Sequence, residues 1–232
     1  MNILEIIEHF YPEDTECRRI LLKHSIQVRD KALEIYSNPL CAGLREQMNL
    51  KLLTEGAMLH DIGINQCNAP GICCTGKSEY ITHGIIGGKM LRRYGAEHQI
   101  DMEAYARICE RHTGAGITEA EIRTQKLPIP KGNYLPETLE EKLICLADKF
   151  YSKSGDMEEK SLARIRKSLS KFGKDTLERF DSLCRQFGVG YHLPYDFEYL
   201  KNLIPDIQID LRYFNGNNFM GRCAEGYSAE TP

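Results

Sequence analysis

The chain has 232 residues, a formal net charge of −3 and no tryptophan. That length fits one domain with an extension, or at most two small ones, and can bury a sizeable core. The charge supplies no global basic footprint for nucleic acid, and no apolar run approaches the roughly 18 residues of a membrane span. The apolar segment from Ile3 to Phe10 is too short and too acidic for a signal peptide. Nine cysteines, an odd number spread along the chain, read as reduced thiols and point to a cytoplasmic protein.

The apolar periodicity is helical nearly throughout, with no convincing alternating strand. Residues 2–9 predict a short amphipathic helix ended before Pro12. Residues 14–36 predict a long helix whose stripe of Ile20, His24, Val28 and Ile35 points His24 toward the core. A third helix over 48–60 ends at His60-Asp61, and Gly63 then lets the backbone turn. Residues 65–77 read as a loop. Its Cys67, Cys73 and Cys74 lack a CxxC spacing and read as ordinary thiols rather than a soft-metal site.

Residues 79–93 return to helix, ending near Gly95, with His83, Gly87 and Met90 on one face. Gly84, Gly87 and Gly88 admit two readings, close helix packing or room for a ligand. Asp101 can cap the helix that ends at His112. Thr118-x-x-Glu121 and Thr138-x-x-Glu141 are capping boxes, and the helix opened by the second carries Asp148. Between them, residues 126–136 hold three prolines and form a loop or lid. Asp156-x-x-Glu159 predicts the start of a basic helix reaching Phe172, broken by Gly173. A further helix then runs to Gly188, a short one covers 195–203, and a loosely held tail spans 214–232. The basic run from Arg164 to Lys174 reads as a solvated face. The expectation is an all-α bundle of about eight to ten helices.

Six residues stand out against this background: His24, His60, Asp61, His83, His112 and Asp148. Successive elements of the set are 22 to 36 positions apart, so nearly every ligand sits on its own helix. Imidazoles and carboxylates hold borderline divalent metals. Six such groups exceed a closed tetrahedral site and suit two metals sharing a carboxylate, with positions left for water and substrate.

Met58-Leu59-His60-Asp61-Ile62-Gly63, with His24 upstream and His83, His112 and Asp148 downstream, resembles the HD-domain superfamily of metal-dependent phosphohydrolases, in its dinuclear branch. The resemblance covers about residues 15–155. It implies an HD-domain helical core over 1–155, followed by a C-terminal helical extension and tail over 156–232. It further implies that His24, His60, Asp61 and Asp148 hold one metal and Asp61, His83 and His112 a second, with Asp61 as the bridging, catalytic carboxylate beside a metal-bridged hydroxide. Iron or manganese fits the nitrogen and oxygen donors best, zinc and cobalt are also compatible, and magnesium fits poorly. The substrate implied is a small phosphate ester or anhydride, a nucleotide or related compound. Lys77, Arg111, Lys149 and Lys153 are the candidates to bind it. Ile64 stands where many HD phosphodiesterases place a lysine, and the Gly-Tyr-Pro motif of another branch is missing. Two other readings compete: an HD-type diiron oxygenase using the same ligand pattern, and a non-catalytic nucleotide-binding module. The sequence leaves the oligomeric state open.

Overall fold

A computed structural model describes residues 2–190, so the segments expected at 195–203 and 214–232 lie outside the described residues. Ten α-helices run through them: α1 (Ile3–Phe10), α2 (Glu16–Ser37), α3 (Ala42–Arg45), α4 (Leu50–Leu59), α5 (His83–His98), α6 (Glu103–Arg111), α7 (Glu119–Gln125), α8 (Leu139–Asp148), α9 (Leu162–Leu169) and α10 (Lys174–Gln186). The predicted all-α class is thus observed, and none of these helices is long and apolar enough to cross a membrane.

Local chemistry places the helix starts. Thr15 caps α2, Asn49 caps α4, and both threonine capping boxes form as expected, at Thr118 for α7 and Thr138 for α8. The N-cap position of α6 is Met102 rather than Asp101, which one residue earlier accepts a hydrogen bond from the Glu103 backbone amide at 2.9 Å. Two apolar cores follow from the helix faces. One joins α2, α4, α8, α9 and α10 through Val28, Leu53, Ile144, Ile165 and Phe180. The other joins α1, α2, the end of α4, α5 and α6 through Ile7, Leu21, Leu59, Leu91 and Cys109.

Several local expectations are corrected. The segment expected as plain loop contains a two-residue hairpin, β1 (Asn68–Ala69) against β2 (Cys74–Thr75), with Cys73 in the left-handed conformation at φ 56°. Strands this short carry no alternation to read. Helix α5 does not stop near Gly95 but continues to His98. Its carbonyl ladder closes through Gln99 at φ 56°, whose neighbour Ile100 donates its amide to the Gly95 carbonyl at 2.9 Å. The helix expected from Asp156 begins only at Leu162, capped by Ser161. Asp156 instead closes a turn on the Glu158 amide. Long-range bonds hold the segment out of helix: Gln27 donates to the Met157 carbonyl at 2.7 Å, and the Lys160 amide donates to the Phe150 carbonyl at 2.7 Å.

The residues after 155, expected as an extension, bury Ile165, Leu169, Phe180 and Phe187 in the same core as α2 and α8, and the packed unit extends to Gly190. The basic residues Arg164, Arg166, Lys167, Lys171 and Lys174 lie on an exposed face, as read from the sequence. Among the thiols, Cys17 on α2 and Cys74 on β2 are buried with their sulfurs 2.8 Å apart.

The glycines of α5 are resolved in favour of packing. A Cβ at Gly84 would strike the Cys109 carbonyl of α6, one at Gly88 would meet the Glu110 side chain, and Gly87 lies against Gly63 and Cys109. Gly63 itself has an ordinary φ of −86°, yet a Cβ there would overlap the His83 carbonyl and the Gly87 amide. Backbone-to-backbone approach, rather than torsional freedom, demands glycine at 63. We therefore expect Gly63→Ala to destabilise the fold by about 1–3 kcal/mol. Gly43→Ala, on α3 with nothing within 4 Å of the added carbon, should stabilise it by roughly 0.4–1 kcal/mol. Urea unfolding midpoints of the two variants should move in opposite directions; a Gly63→Ala midpoint equal to wild type would contradict the close approach.

Candidate metal centre

The helix ends bring all six sequence-predicted ligands to one place. His24 lies within α2. His60 follows the last residue of α4, His112 follows the last residue of α6, and Asp148 ends α8, while His83 opens α5. All six are buried, with His24, His60 and Asp61 wholly inaccessible. The C-termini of α4, α6 and α8 thus converge here. Their unpaired carbonyls make the negative ends of helix dipoles, a setting that favours a cation.

Carbonyls near the ends of α4 and α6, and that of Tyr80 before α5, set the imidazole tautomers. Nδ1 of His60 donates to the Ala57 carbonyl at 2.7 Å, that of His83 to Tyr80 at 2.6 Å, and that of His112 to Cys109 at 2.7 Å. In each case the partner lies three residues back. Each ring therefore turns Nε2 inward, as a metal ligand requires.

Asp61 sits between two histidine pairs. Its Oδ2 lies 3.2 Å from His24 Nε2 and 3.0 Å from His60 Nε2. Its Oδ1 lies 3.3 Å from both His83 Nε2 and His112 Nε2. Asp148 Oδ1 completes the first side, 2.9 Å from His24 Nε2 and 3.6 Å from His60 Nε2. The potential ligand atoms accordingly gather as His24, His60, Asp61 and Asp148 on one side and Asp61, His83 and His112 on the other.

The donor set fits a metal ion on grounds internal to the structure. His83 Nε2 and His112 Nε2 face each other at 3.0 Å although both rings have committed Nδ1–H outward. Two lone pairs so placed repel unless a cation or proton lies between them. Both oxygens of Asp61 and Nε2 of His60 are buried without a well-formed hydrogen bond, a costly condition in a protein interior.

The electrostatics agree. Burial opposes the charge of Asp61, but His60, Lys153 and the other histidines outweigh it and hold the carboxyl well below its usual range. Asp148 behaves likewise, held down against burial by Lys149, Lys153 and the histidines. Burial lowers His60, yet Asp61 and Asp148 overcome it and raise its pKa to about 9. Burial prevails at His112, lowering it to about 4.

Of the four residues expected to bind substrate, the structure brings two to the cluster. Lys153 Nζ lies 2.6 Å from Asp61 Oδ2, and Lys149 Nζ lies 2.7 Å from Asp148 Oδ2 and 3.2 Å from the His112 carbonyl. Arg111 instead bonds Glu137 at 2.9 Å and the Leu135 carbonyl, and Lys77 is exposed in the loop after β2. A continuing helix turns neighbours about 100° apart, so adjacency to His112 did not carry Arg111 into the site. A cavity of about 590 Å³ opens beside the cluster, lined by Asp148, Lys149, Lys153, Thr113 and Tyr80 among others.

Sequence reading missed two supports. Tyr80 stacks on His83 with ring centroids 4.7 Å apart, and its ring lies 5.9 Å from Lys153 Nζ. Tyr11 braces the turn after Asp61: its hydroxyl donates to the Ile62 carbonyl at 2.9 Å and accepts from the Asn65 amide at 3.1 Å. Only the three-residue step from Tyr80 to His83 could have drawn attention to Tyr80, and nothing local marks Tyr11.

The sequence profile of the HD domain matches residues 21–152, which span all six histidines and aspartates of the cluster. The chain belongs to the HD-domain family, a superfamily of the metal-dependent phosphohydrolase type. Among individual relatives, it is 33% identical over 132 residues to a tRNA (cytidine(56)-2'-O)-methyltransferase of Thermoplasma volcanium, covering 57% of this chain and 32% of that protein. It is 40% identical over 102 residues to the protein of the same name from Picrophilus torridus, covering 44% and 25%. An uncharacterized protein of Methanocaldococcus jannaschii is 33% identical over 132 residues, covering 57% of this chain and 66% of the relative. The chain therefore spans about a third and a quarter of the length of these two relatives. No solved structure matches.

The raised His60 has a measurable consequence. With Asp61 and Asp148 raising its pKa to about 9, its ring is expected to hold a second proton on Nε2 in metal-free protein at neutral pH. A metal needs that nitrogen's lone pair, so uptake must release the proton. Metal affinity should therefore weaken as pH falls below about 9. Calorimetric titration of chelator-stripped protein with Mn²⁺ at pH 7.5, in buffers of different ionisation enthalpy, should show release of about one proton. A buffer-independent heat would count against this protonation state.

Proposed function

We propose that this protein is a metal-dependent phosphohydrolase acting on a phosphate ester or anhydride of nucleotide-like size, with a two-metal centre bridged by Asp61. The observation that supports it above the others is the split of Asp61, one oxygen facing His24 and His60 and the other facing His83 and His112. A carboxylate placed so can serve two ions at once. Two divalent cations held there would lower the pKa of a shared water and offset charge on phosphate oxygens. The mixed nitrogen and oxygen donors suit iron or manganese, with zinc or cobalt also compatible.

The chain's own groups supply the rest. Asp148 completes the first ligand group and is itself oriented by Lys149. Lys153, only 11% exposed and held near Asp61, places an ammonium at the cavity floor where a phosphate oxygen would approach the cluster. There it would neutralise charge that grows in the transition state. Lys149 stands at the other edge, steadied by the His112 carbonyl. The cavity beside the cluster gives the organic part of a substrate a place outside the ligand shell. No serine or cysteine nucleophile is required.

Metal content and chemistry test the reading separately. Wild-type protein saturated with Mn²⁺ should carry about two equivalents. Asp61→Ala should hold neither, and His83→Ala should lose mainly the second; one equivalent in saturated wild type would remove the dinuclear reading. Under anaerobic conditions, Mn²⁺- or Fe²⁺-loaded protein should release phosphate from members of a nucleotide and phosphate-ester panel. Asp61→Ala should cut that rate by roughly 10²–10³-fold or more. Oxygen consumed in step with product, with no phosphate released, would replace the hydrolase by a diiron oxygenase. Binding of nucleotides with no turnover would replace it by a sensor module.

A further inference from the structure

The cavity beside the cluster holds a third lysine that the ligand shell does not use. Lys160 follows the irregular segment after α8 and lines the same cavity as Asp148, Lys149 and Lys153. Its position is built rather than incidental. Its amide donates to the Phe150 carbonyl at 2.7 Å, and its Nζ donates to the Tyr151 carbonyl at 2.9 Å. A chain anchored at both ends of the residue holds the ammonium against the cavity wall.

No carboxylate among the described residues pairs with it. The carboxylates lining the cavity are Asp148 and Glu121. Lys149 lies on Asp148, and Arg179 neutralises Glu121 at 2.7 Å. Burial and the neighbouring charges of Lys149, Lys153 and Arg164 all disfavour the charged form of Lys160, lowering its pKa to about 8 against the attraction of Asp148. A half-buried ammonium among like charges is a costly arrangement that an anion from outside would relieve. Charge balance in a loaded site points the same way. Once Asp61 serves cations, Lys153 loses its carboxylate partner, whereas Lys149 keeps Asp148 Oδ2 because Oδ1 is the oxygen that faces the histidines, so the wall then carries Lys153 and Lys160 without carboxylates.

We propose that Lys160 forms a second anion subsite, so that the preferred substrate carries two phosphoryl groups, one at the metal cluster and one at Lys160. This rests on the phosphohydrolase reading and narrows its substrate class to organic diphosphates and bisphosphates. The organic remainder would lie along the apolar wall formed by Ile117, Leu127 and Leu169.

Binding measurements test this independently of turnover. The full chain, loaded with Mn²⁺ and kept in buffered excess of the ion, is titrated with inorganic phosphate and with methylenediphosphonate, a non-hydrolysable diphosphate. Wild type should prefer the diphosphonate by about tenfold or more, the worth of one charge-assisted contact. Lys160→Met should erase that preference and leave phosphate affinity within about twofold, while Lys160→Arg retains it. Melting curves of both variants separate misfolding from lost contact, and Lys160→Gln serves if the methionine variant is unstable. An unchanged preference in a folded methionine or glutamine variant, or loss in Lys160→Met and Lys160→Arg alike with both folded, overturns the subsite and leaves the phosphohydrolase reading intact. Failure of wild type to bind either anion overturns both.

Discussion

A single buried carboxylate organises this molecule. Asp61 is fully inaccessible, carries a charge, and has imidazoles on both of its oxygens. Such a charge is tolerable only with cations close by, so the surrounding helices must deliver them to within a few tenths of an ångström. Helices α2, α4, α5, α6 and α8 each place a histidine or aspartate of the cluster within themselves or directly after their last residue. Three of them do so at their C-termini, where the backbone already favours positive charge. The fold and the site are therefore one construction, because the packing that buries Leu59 and Ile144 also aims His60 and Asp148.

That delivery depends on backbone proximity at a few points. The turn after Asp61 touches α5 directly at Gly63 and Gly87, and α5 touches α6 at Gly84. Side chains there would push His83 and His112 away from Asp61. Glycine costs a helix about 1 kcal/mol relative to alanine, and here that cost is offset by a contact that no larger residue permits. Tyr11 adds a second brace from α1, hydrogen-bonded on both sides of the same turn. The position of the Asp61 carboxylate is thus set from four elements at once.

The cavity carries the same pairing of charges beyond the cluster. Its cationic residues come from a short stretch, Lys149 to Lys160, that leaves the ligand-bearing helix and folds back irregularly over the site. Lys149 and Lys153 answer to the two carboxylates of the cluster, whereas Lys160 answers to a backbone carbonyl. The methyltransferase names borne by two relatives describe far longer chains, and the chemistry available in the described residues is that of the buried histidines and aspartates.

Much of this was legible in the sequence. The six candidate ligands take up four of the chain's seven histidines, and capping boxes at Thr118 and Thr138 locate two helix starts by purely local hydrogen bonds. Local signals act over three or four residues, so they survive in one dimension. What they could not decide depends on segments far apart in the chain. Asp156 satisfied a local capping pattern, but Gln27, on α2, holds the neighbouring Met157 carbonyl out of helix. Arg111 and Lys149 each adjoin a ligand, and only packing determined that Lys149 enters the site while Arg111 turns to Glu137. Gly63 read as a turn residue, yet its necessity comes from α5 lying against it. The amino-acid sequence by itself determined which groups could bind metal and where the helices with capping boxes begin. Tertiary structure decided which cations reach the carboxylates and which glycines are indispensable, because those outcomes are set by distances between residues that no local pattern connects.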